Sequence, residues 1–371
     1  MSLENEERNS AYEKLTPQRK QLVDKVMENL EKGNLFWSQG WVSSGAPESA
    51  VTGKKYRGIN NLFLSLIAMS ENYEDNRWAT FKQMEEKGWT FKKDEEGKSA
   101  AKGKGATVEY YEMRDKETKK HFDRSVLDGM TASEQQEYMD KNVYWLRKFY
   151  RVFNCSLMDG VPAKEKPLIN ENDRNDRAEA ILSYWDQNES KIVYGGSQAY
   201  YRESNDEVHL PERADFKSMQ EFYSTALHEI GHSTGHETRL NRDLSGGFGS
   251  EKYAMEELRA EIASIFMEQD VGIEASEGRL QNNAAYLQSW KEEIKENPNA
   301  LFTAITDADK IAKYVSERER AYRRVNDVQY YAIIEETNAY SEQVYKCCIC
   351  DEDGEVKPLI NYAFADREAL K

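Results

Sequence analysis

Five consecutive residues, His228-Glu229-Ile230-Gly231-His232, constrain this chain more than any other feature. Two imidazoles four positions apart meet on one metal ion when the backbone between them is an α-helix, because positions i and i+4 share a face. The flanking pattern agrees. At 100° per residue, Phe216, Met219, Tyr223, Ala226, Leu227 and Ile230 form one apolar stripe, and His228 and His232 point away from it. The histidines are therefore expected to line a cleft, on a helix whose other face is core. Three of the five histidines lie between 228 and 236, a clustering that favours a Zn²⁺ site, or one for another divalent transition metal, over scattered surface imidazoles. Glu229 is placed to act as general base on a metal-bound water, for peptide hydrolysis.

Such a site needs a further protein ligand. One class of zinc enzymes places a third histidine ten residues after the first, but that position is Thr238. His236 follows His232 by one turn and would have to fold back past Gly235. Another class takes a glutamate from a later helix. The stretch 251–270 has Met255, Leu258, Ile262, Ile265 and Phe266 on one side and Glu257 and Glu261 on another, one turn apart. One of the two is expected to bind the metal and the other to orient a histidine, with Glu257 the first choice as ligand and Glu261 the alternative. Tyr253, Arg259 and His236 are candidates for stabilising an oxyanion.

The formal net charge of −16 excludes a uniformly basic, nucleic-acid-coating protein, but it is unevenly spread. Residues 54–124 carry a surplus of three positive charges, whereas 125–371 carry a deficit of seventeen. Trp37, Trp41, Trp78 and Trp89 also fall in the N-terminal third. Aromatic rings interleaved with cations suit single-stranded nucleic acid, since bases stack on rings while Lys and Arg follow phosphates; the same rings would equally serve as the core of a small domain. No apolar run approaches the ~18 residues of a membrane span. The polar N-terminus has no apolar signal core, and only four cysteines occur (Cys155, Cys347, Cys348, Cys350). A cytoplasmic protein without a disulfide framework or membrane partner is expected.

The periodicities predict an α+β fold. Residues 1–16 read as a disordered acidic tail. Pro17 opens a helix with Leu22, Val23, Val26 and Leu30 at helical spacing and Gly33 as its stop. Helical runs are expected at 60–70 and 77–88, and strands at 89–91, 107–112 and 144–153. The polar stretch 161–176, with two prolines, is the expected linker. A mostly helical domain follows over 177–316, then an extension, 317–371, with a solvated helix and a small β tail near 345–364. The Cys347, Cys348 and Cys350 cluster lacks a second pair that would complete a metal site.

Several of these motifs together resemble the ArdC-like antirestriction proteins of conjugative plasmids and other mobile elements. The matching positions are the run from Ala226 through His228, Glu229, His232 and His236 to Arg242, then Glu256, Glu257, Leu258, Arg259, Ala260 and Glu261. Tyr56, Arg57, Gly58, Ile59 and Asn60 also match, as do Arg77 to Gln83, Gly103 to Gly105, Val108 to Tyr111, Val152 to Asn154, Trp290, and Asp307 to Ala312. The resemblance covers about 17–316. It implies an N-terminal single-stranded-DNA-binding domain (17–160), a C-terminal zincin-like metallopeptidase domain (177–316) of gluzincin type, and a role in shielding transferred DNA from restriction. By family position, Arg57, Asn60, Arg77, Trp78, Lys82, Lys102 and Lys104 are the expected DNA contacts. Asp94, Glu95 and Glu96 place acid in a loop that is basic in many relatives. The alternative is a non-enzymatic DNA-protection protein whose metal is structural. The protein substrate of a peptidase reading is unidentified.

Overall fold

A computed structural model describes residues 10–32, 45–73, 75–93, 97–163, 175–247, 250–273, 287–326, 331–337, 343–350 and 356–358. Trp37, Trp41, Asp94, Glu95, Glu96 and most of the expected linker lie outside the described residues. The fold is α+β, in two compact units, Met1–Glu317 and Arg318–Lys371.

The first unit begins with a helical turn, α1 (Ser10–Glu13). Tyr12 is buried there and donates its hydroxyl to Asp24 at 2.7 Å, so this end of the expected tail is ordered by an aromatic anchor. Helix α2 (Pro17–Glu31) starts where predicted. The Thr16 side chain accepts from the Arg19 N–H, and Pro17 occupies the first turn, where no backbone donor is required. Leu22, Val23, Val26 and Leu30 form its buried stripe. Then come β1 (Glu48–Ser49), α3 (Gly58–Ser70), β2 (Arg77–Thr80), α4 (Phe81–Glu86), β3 (Thr90–Phe91), β4 (Ala106–Asp115), α5 (Ala132–Asn142), β5 (Val143–Asn154) and β6 (Met158–Asp159). Four strands form one sheet in the order β1-β2-β5-β4, and β3 pairs with β6.

The helix expected over 77–88 starts four residues late. Arg77–Thr80 is an inner strand, with Trp78 opposite Asn154 of β5. Thr80 and Gln83 then exchange side-chain and backbone bonds in a capping box, which is what starts α4 at Phe81.

The later part of the unit contains α6 (Asp176–Asn188), β7 (Lys191–Tyr194), β8 (Tyr200–Arg202), β9 (Glu207–Leu210), α7 (Met219–Ser233), α8 (Glu251–Val271), α9 (Leu287–Glu296) and, up to Glu317, the first part of α10 (Pro298–Asn326). It is more than helices: β7 runs parallel to β9, and β8 lies antiparallel on its other side as an edge. One apolar cluster joins Leu62, Phe63 and Trp78 with Leu258, Ile262, Trp290 and Leu301. Two buried indoles hold the site helices. Trp185 donates to Ser233 Oγ at 2.8 Å at the end of α7, and Trp290 donates to the Ala254 carbonyl at 2.6 Å on α8.

The second unit contains an antiparallel meander of β10 (Tyr331–Thr337), β11 (Gln343–Cys350) and β12 (Val356–Pro358). Cys347, Cys348 and Cys350 fall on β11. Among the described residues, no helix is long and apolar enough to cross a membrane.

Candidate metal centre

Helix α7 is capped by Ser218, whose hydroxyl accepts from the Glu221 N–H. Its apolar residues Phe222, Tyr223, Ala226, Leu227 and Ile230 are buried. The sequence reading placed His228 and His232 opposite this stripe, and they face α8. Contact between the helices is close because Gly231 packs directly on Ala260. A Cβ built on Gly231 would lie 3.7 Å from the Ala260 Cα. This brings three carboxylates, the neighbours Glu256 and Glu257 and, one turn on, Glu261, against two imidazoles.

The Nε2 atoms of His228 and His232 are 3.1 Å apart. Glu257 sits astride them, with Oε2 at 3.5 Å from His228 Nε2 and Oε1 at 3.5 Å from His232 Nε2. Four-coordinate zinc with bonds of ~2.0–2.1 Å places neighbouring donors about 3.3 Å apart. The imidazole nitrogens are 3.1 Å apart and each has a Glu257 oxygen at 3.5 Å, Oε2 for His228 and Oε1 for His232, so the carboxylate bridges the pair at close to that spacing and the three side chains form a donor triangle. Two imidazoles and one carboxylate are also a donor set suited to a divalent transition ion. Glu261 Oε1 lies 3.5 Å from His228 Nδ1, on the far side of the ring from this triangle, and Glu256 Oε1 lies 3.4 Å from His232 Nδ1. Each histidine therefore has a carboxylate behind it, the arrangement that fixes ring orientation at metal sites.

Glu256 was not anticipated. It is tied to Arg242, whose guanidinium donates to both its oxygens, at 2.6 and 3.2 Å, and also to the Gly231 carbonyl and Thr234 Oγ1. Glu256 is one residue from Glu257, about 100° around the helix, so helical phase alone separates it from the pair singled out.

Burial pushes the Glu229 carboxyl up, and the neighbouring imidazoles hold it back only in part. Burial disfavours a charged His232, but Glu256 and Glu257 outweigh it and lift the ring well above its ordinary value. Burial would also raise Glu257, but the two histidines overcome that and hold it low.

The histidines, Glu229, Glu256, Glu257 and Glu261 open onto a cavity of about 820 Å³. Residues 197–201 around the edge strand β8 form another wall, and Tyr253 also lines it. Of the three candidate electrophiles, Tyr253 alone reaches this cavity. Arg259 pairs with Asp307 at 3.1 Å, and His236 bonds Thr238 Oγ1 at 2.9 Å and faces Asp206. His236 does not fold back because the loop after α7 closes on itself, through Leu240 N–H to the Thr234 carbonyl and Arg242 N–H to the Gly235 carbonyl.

The expected DNA contacts separate into two groups. Trp78 is completely buried and has no face for a base, so its assignment as a stacking residue is corrected. Asn60 is committed to the backbone of Glu109: its amide donates to that carbonyl at 2.6 Å and its oxygen accepts from that N–H at 2.9 Å. Arg77 is clamped by Asp75 and the Pro162 carbonyl. Arg57 pairs with Asp309 at 3.2 Å. Lys82, Lys102 and Lys104 are exposed, with Lys82 near Glu86 and Lys104 bonded to Glu71. Among the described residues, Phe81 and Tyr194 are exposed singly, and the other solvent-facing rings, Tyr110, Tyr111, Trp145, Phe149 and Tyr150, gather on β4 and β5.

A family model described as the N-terminal domain of anti-restriction factor ArdC matches residues 16–153, and one described as a zincin-like metallopeptidase matches 176–307. The crystal structure of antirestriction ArdC protein from the R388 plasmid, in metal-free form, superposes with a TM-score of 0.62 at 26% identity, covering 82% of this chain and 99% of that one. The chain belongs to the ArdC-like antirestriction family. A Mn(II)-bound structure of R388 ArdC matches with a TM-score of 0.60 at 27% identity, over 82% of this chain and 98% of that one. With the zincin-like match, it points to a divalent metal ion in this family. Protein y4eC of Sinorhizobium fredii is 32% identical over 322 residues, covering 86% of this chain and 95% of its own. DNA primase TraC of Escherichia coli is 36% identical over 308 residues, 81% of this chain. This ArdC-like chain spans 27% of that primase and 19% of a second one.

Proposed function

We propose that this ArdC-like chain couples single-stranded-DNA binding by residues 17–160 to a metal-dependent peptidase centre in residues 177–316, with 161–176 between them, in the cytoplasm where transferred DNA meets restriction enzymes. His228, His232 and Glu257 hold the divalent ion, with zinc the first expectation from the donor set, while Glu261 and Glu256 orient the two imidazoles. The ion supplies Lewis acidity, activating water and polarising a peptide carbonyl. Glu229 accepts the water proton and passes it to the leaving amine. Tyr253, half-buried in the cavity wall, is placed to donate to the developing oxyanion. Exposed Lys82, Lys102 and Lys104 supply phosphate contacts at the DNA-binding part.

The observation that carries this reading is the donor triangle of His228, His232 and Glu257 side chains beside an acid that opens onto a large cavity. The second reading, a structural ion in a binding and protection protein, shares the triangle and differs over Glu229. The test is digestion of a proteome-derived peptide library by metal-loaded protein, with cleavage sites read by mass spectrometry. New termini with the wild type, and none with Glu229→Gln at equal metal content, are expected. Equal cleavage by both proteins removes Glu229 from the reaction, and no cleavage by either favours the structural ion.

A further inference from the structure

Among the described residues, the longest paired strands, β4 and β5, carry an unusual face. Antiparallel pairing sets Tyr111 opposite Arg147, Glu109 opposite Phe149, Met113 opposite Trp145 and Thr107 opposite Arg151. Directly opposed residues share a face, and so do alternate residues along a strand. One face of β5 thus reads Trp145, Arg147, Phe149, Arg151, ring and guanidinium in turn, with Tyr111 across from Arg147. Trp145 is 56% exposed and Phe149 47%. The Arg147 guanidinium lies 5.1 Å over the Phe149 ring. Among the described residues, no ion pair engages Arg147 or Arg151. Of the two carboxylates on this face, Glu109 is buried and neutralised by Arg19 at 3.1 Å, and Asp115, at the strand end opposite Val143, accepts from the Glu117 and Thr118 N–H groups.

Such a row is costly to leave in water and is poor material for a core, because its cations are unpaired. Rings alternating with free guanidiniums suit a partner that offers flat apolar faces and regularly spaced negative charge. Unpaired bases and phosphates provide both, whereas duplex DNA keeps its base faces stacked away. A strand rises ~3.3 Å per residue, so Trp145 and Phe149 are about 13 Å apart along β5, a span of a few nucleotides.

We infer that the Tyr111, Trp145, Arg147, Phe149 and Arg151 face of the β4–β5 ribbon is the stacking platform for single-stranded DNA. This rests on the DNA-binding reading above and relocates its base contacts from Trp78 to the ribbon. Arg147 and Arg151 follow the phosphates while Trp145, Phe149 and Tyr111 carry the bases.

The test is fluorescence anisotropy of a labelled oligothymidylate with the full chain, together with light scattering for its size. Trp145→Ala and Phe149→Ala should each weaken binding by about five- to a hundredfold. The exposed control Tyr194→Ala, on β7, should leave it unchanged. The double variant Arg147→Ala/Arg151→Ala should flatten the dependence of log affinity on log salt by about 1.4, at ~0.7 per phosphate on single strands. Unchanged thermal melts establish that the variants are folded. Tight wild-type binding that survives every ribbon substitution overturns the platform and leaves the DNA reading standing. No wild-type binding to single strands removes both. Ribbon substitutions that dissociate an oligomer and leave DNA affinity intact also overturn the platform, making the face an interface between copies of the chain.

Discussion

Replacing Glu256 with glutamine tests whether the carboxylates behind the histidines govern the metal site. Glu256 approaches His232 Nδ1 at 3.4 Å and takes two bonds from Arg242, at 2.6 and 3.2 Å. Glutamine keeps the size of the side chain and loses its charge. Arg242 keeps the Gly231 carbonyl and Thr234 Oγ1 as acceptors, so the apo protein should lose only about 1–2 kcal/mol, less than the full value of a buried pair. His232 loses the group that fixes its ring and makes its far nitrogen basic. Loss of such an outer carboxylate typically lowers metal affinity 10–100-fold, about 1.4–2.7 kcal/mol. Competition against a chromogenic chelator at neutral pH measures this directly, with urea denaturation in excess chelator giving the apo stability. Glu261→Gln, behind His228, should behave alike. Glu257→Gln should lose well over a hundredfold, because it removes a donor. Glu256→Gln affinity within twofold of wild type would refute the orienting role. A larger loss for Glu256→Gln than for Glu257→Gln would mean that the ligand has been misassigned.

Metal supplied at a hundred times its dissociation constant should raise unfolding stability by about 2.7 kcal/mol, read as a shift in the urea midpoint that chelator reverses; no shift would leave the donor triangle without a bound ion. Trp185→Phe removes the indole N–H that bonds Ser233 Oγ at 2.8 Å in the core and leaves a small void, so it should cost about 2–3 kcal/mol in urea, and a cost below about 0.5 kcal/mol would show that this anchor is dispensable. Burial, reinforced by Asp75, pushes the Cys155 thiol up to about 12, so the reactive thiolate forms only as pH approaches that value. Iodoacetamide at pH 8 should therefore leave Cys155 unmodified in the native protein and label it after denaturation, as mapped by mass spectrometry; native labelling at the rate of a free thiol would contradict the burial.

The helices of the site were legible because they are long, amphipathic and periodic. That period puts His228 with His232 on one face of the first helix and Glu257 with Glu261 on one face of the second. Glu256 was hidden because its partner, Arg242, comes from a loop whose closing hydrogen bonds obey no period. The same closure turned His236 away from the imidazoles. Trp78 was misread because ring and charge composition does not report depth. Arg77–Thr80 pairs between β1 and β5, and an inner strand buries its large residue. Trp145 escaped notice because the basic segment was bounded at residue 124, whereas the exposed rings belong to a strand nineteen positions later that pairs back onto β4. The sheet of β7, β8 and β9 consists of strands of four residues or fewer, too short for alternation to stand out against flanking polar sequence.

The catalytic and structural readings of the metal part over one buried acid. Within the cavity wall Glu256 is neutralised by Arg242, and Lys252 is committed to Asp243. Among the described residues, the cations beside Glu229 and Glu257 are then the two imidazoles, a deficit that a divalent ion relieves under either reading. Glu257 and Glu261 are in reach of the histidines and are explained by holding or orienting them. Among the described residues, no ion pair reaches Glu229, yet it is buried beside both rings. A structural ion has no use for that carboxylate, whose desolvation destabilises the fold. If Glu229 is kept for proton transfer, Glu229→Gln should abolish hydrolysis while stabilising the metal-free protein by about 1 kcal/mol in urea, the trade-off expected where chemistry requires a strained group. A Glu229→Gln protein that is less stable than wild type in excess chelator would show that the carboxylate holds the fold together, and would favour the structural ion.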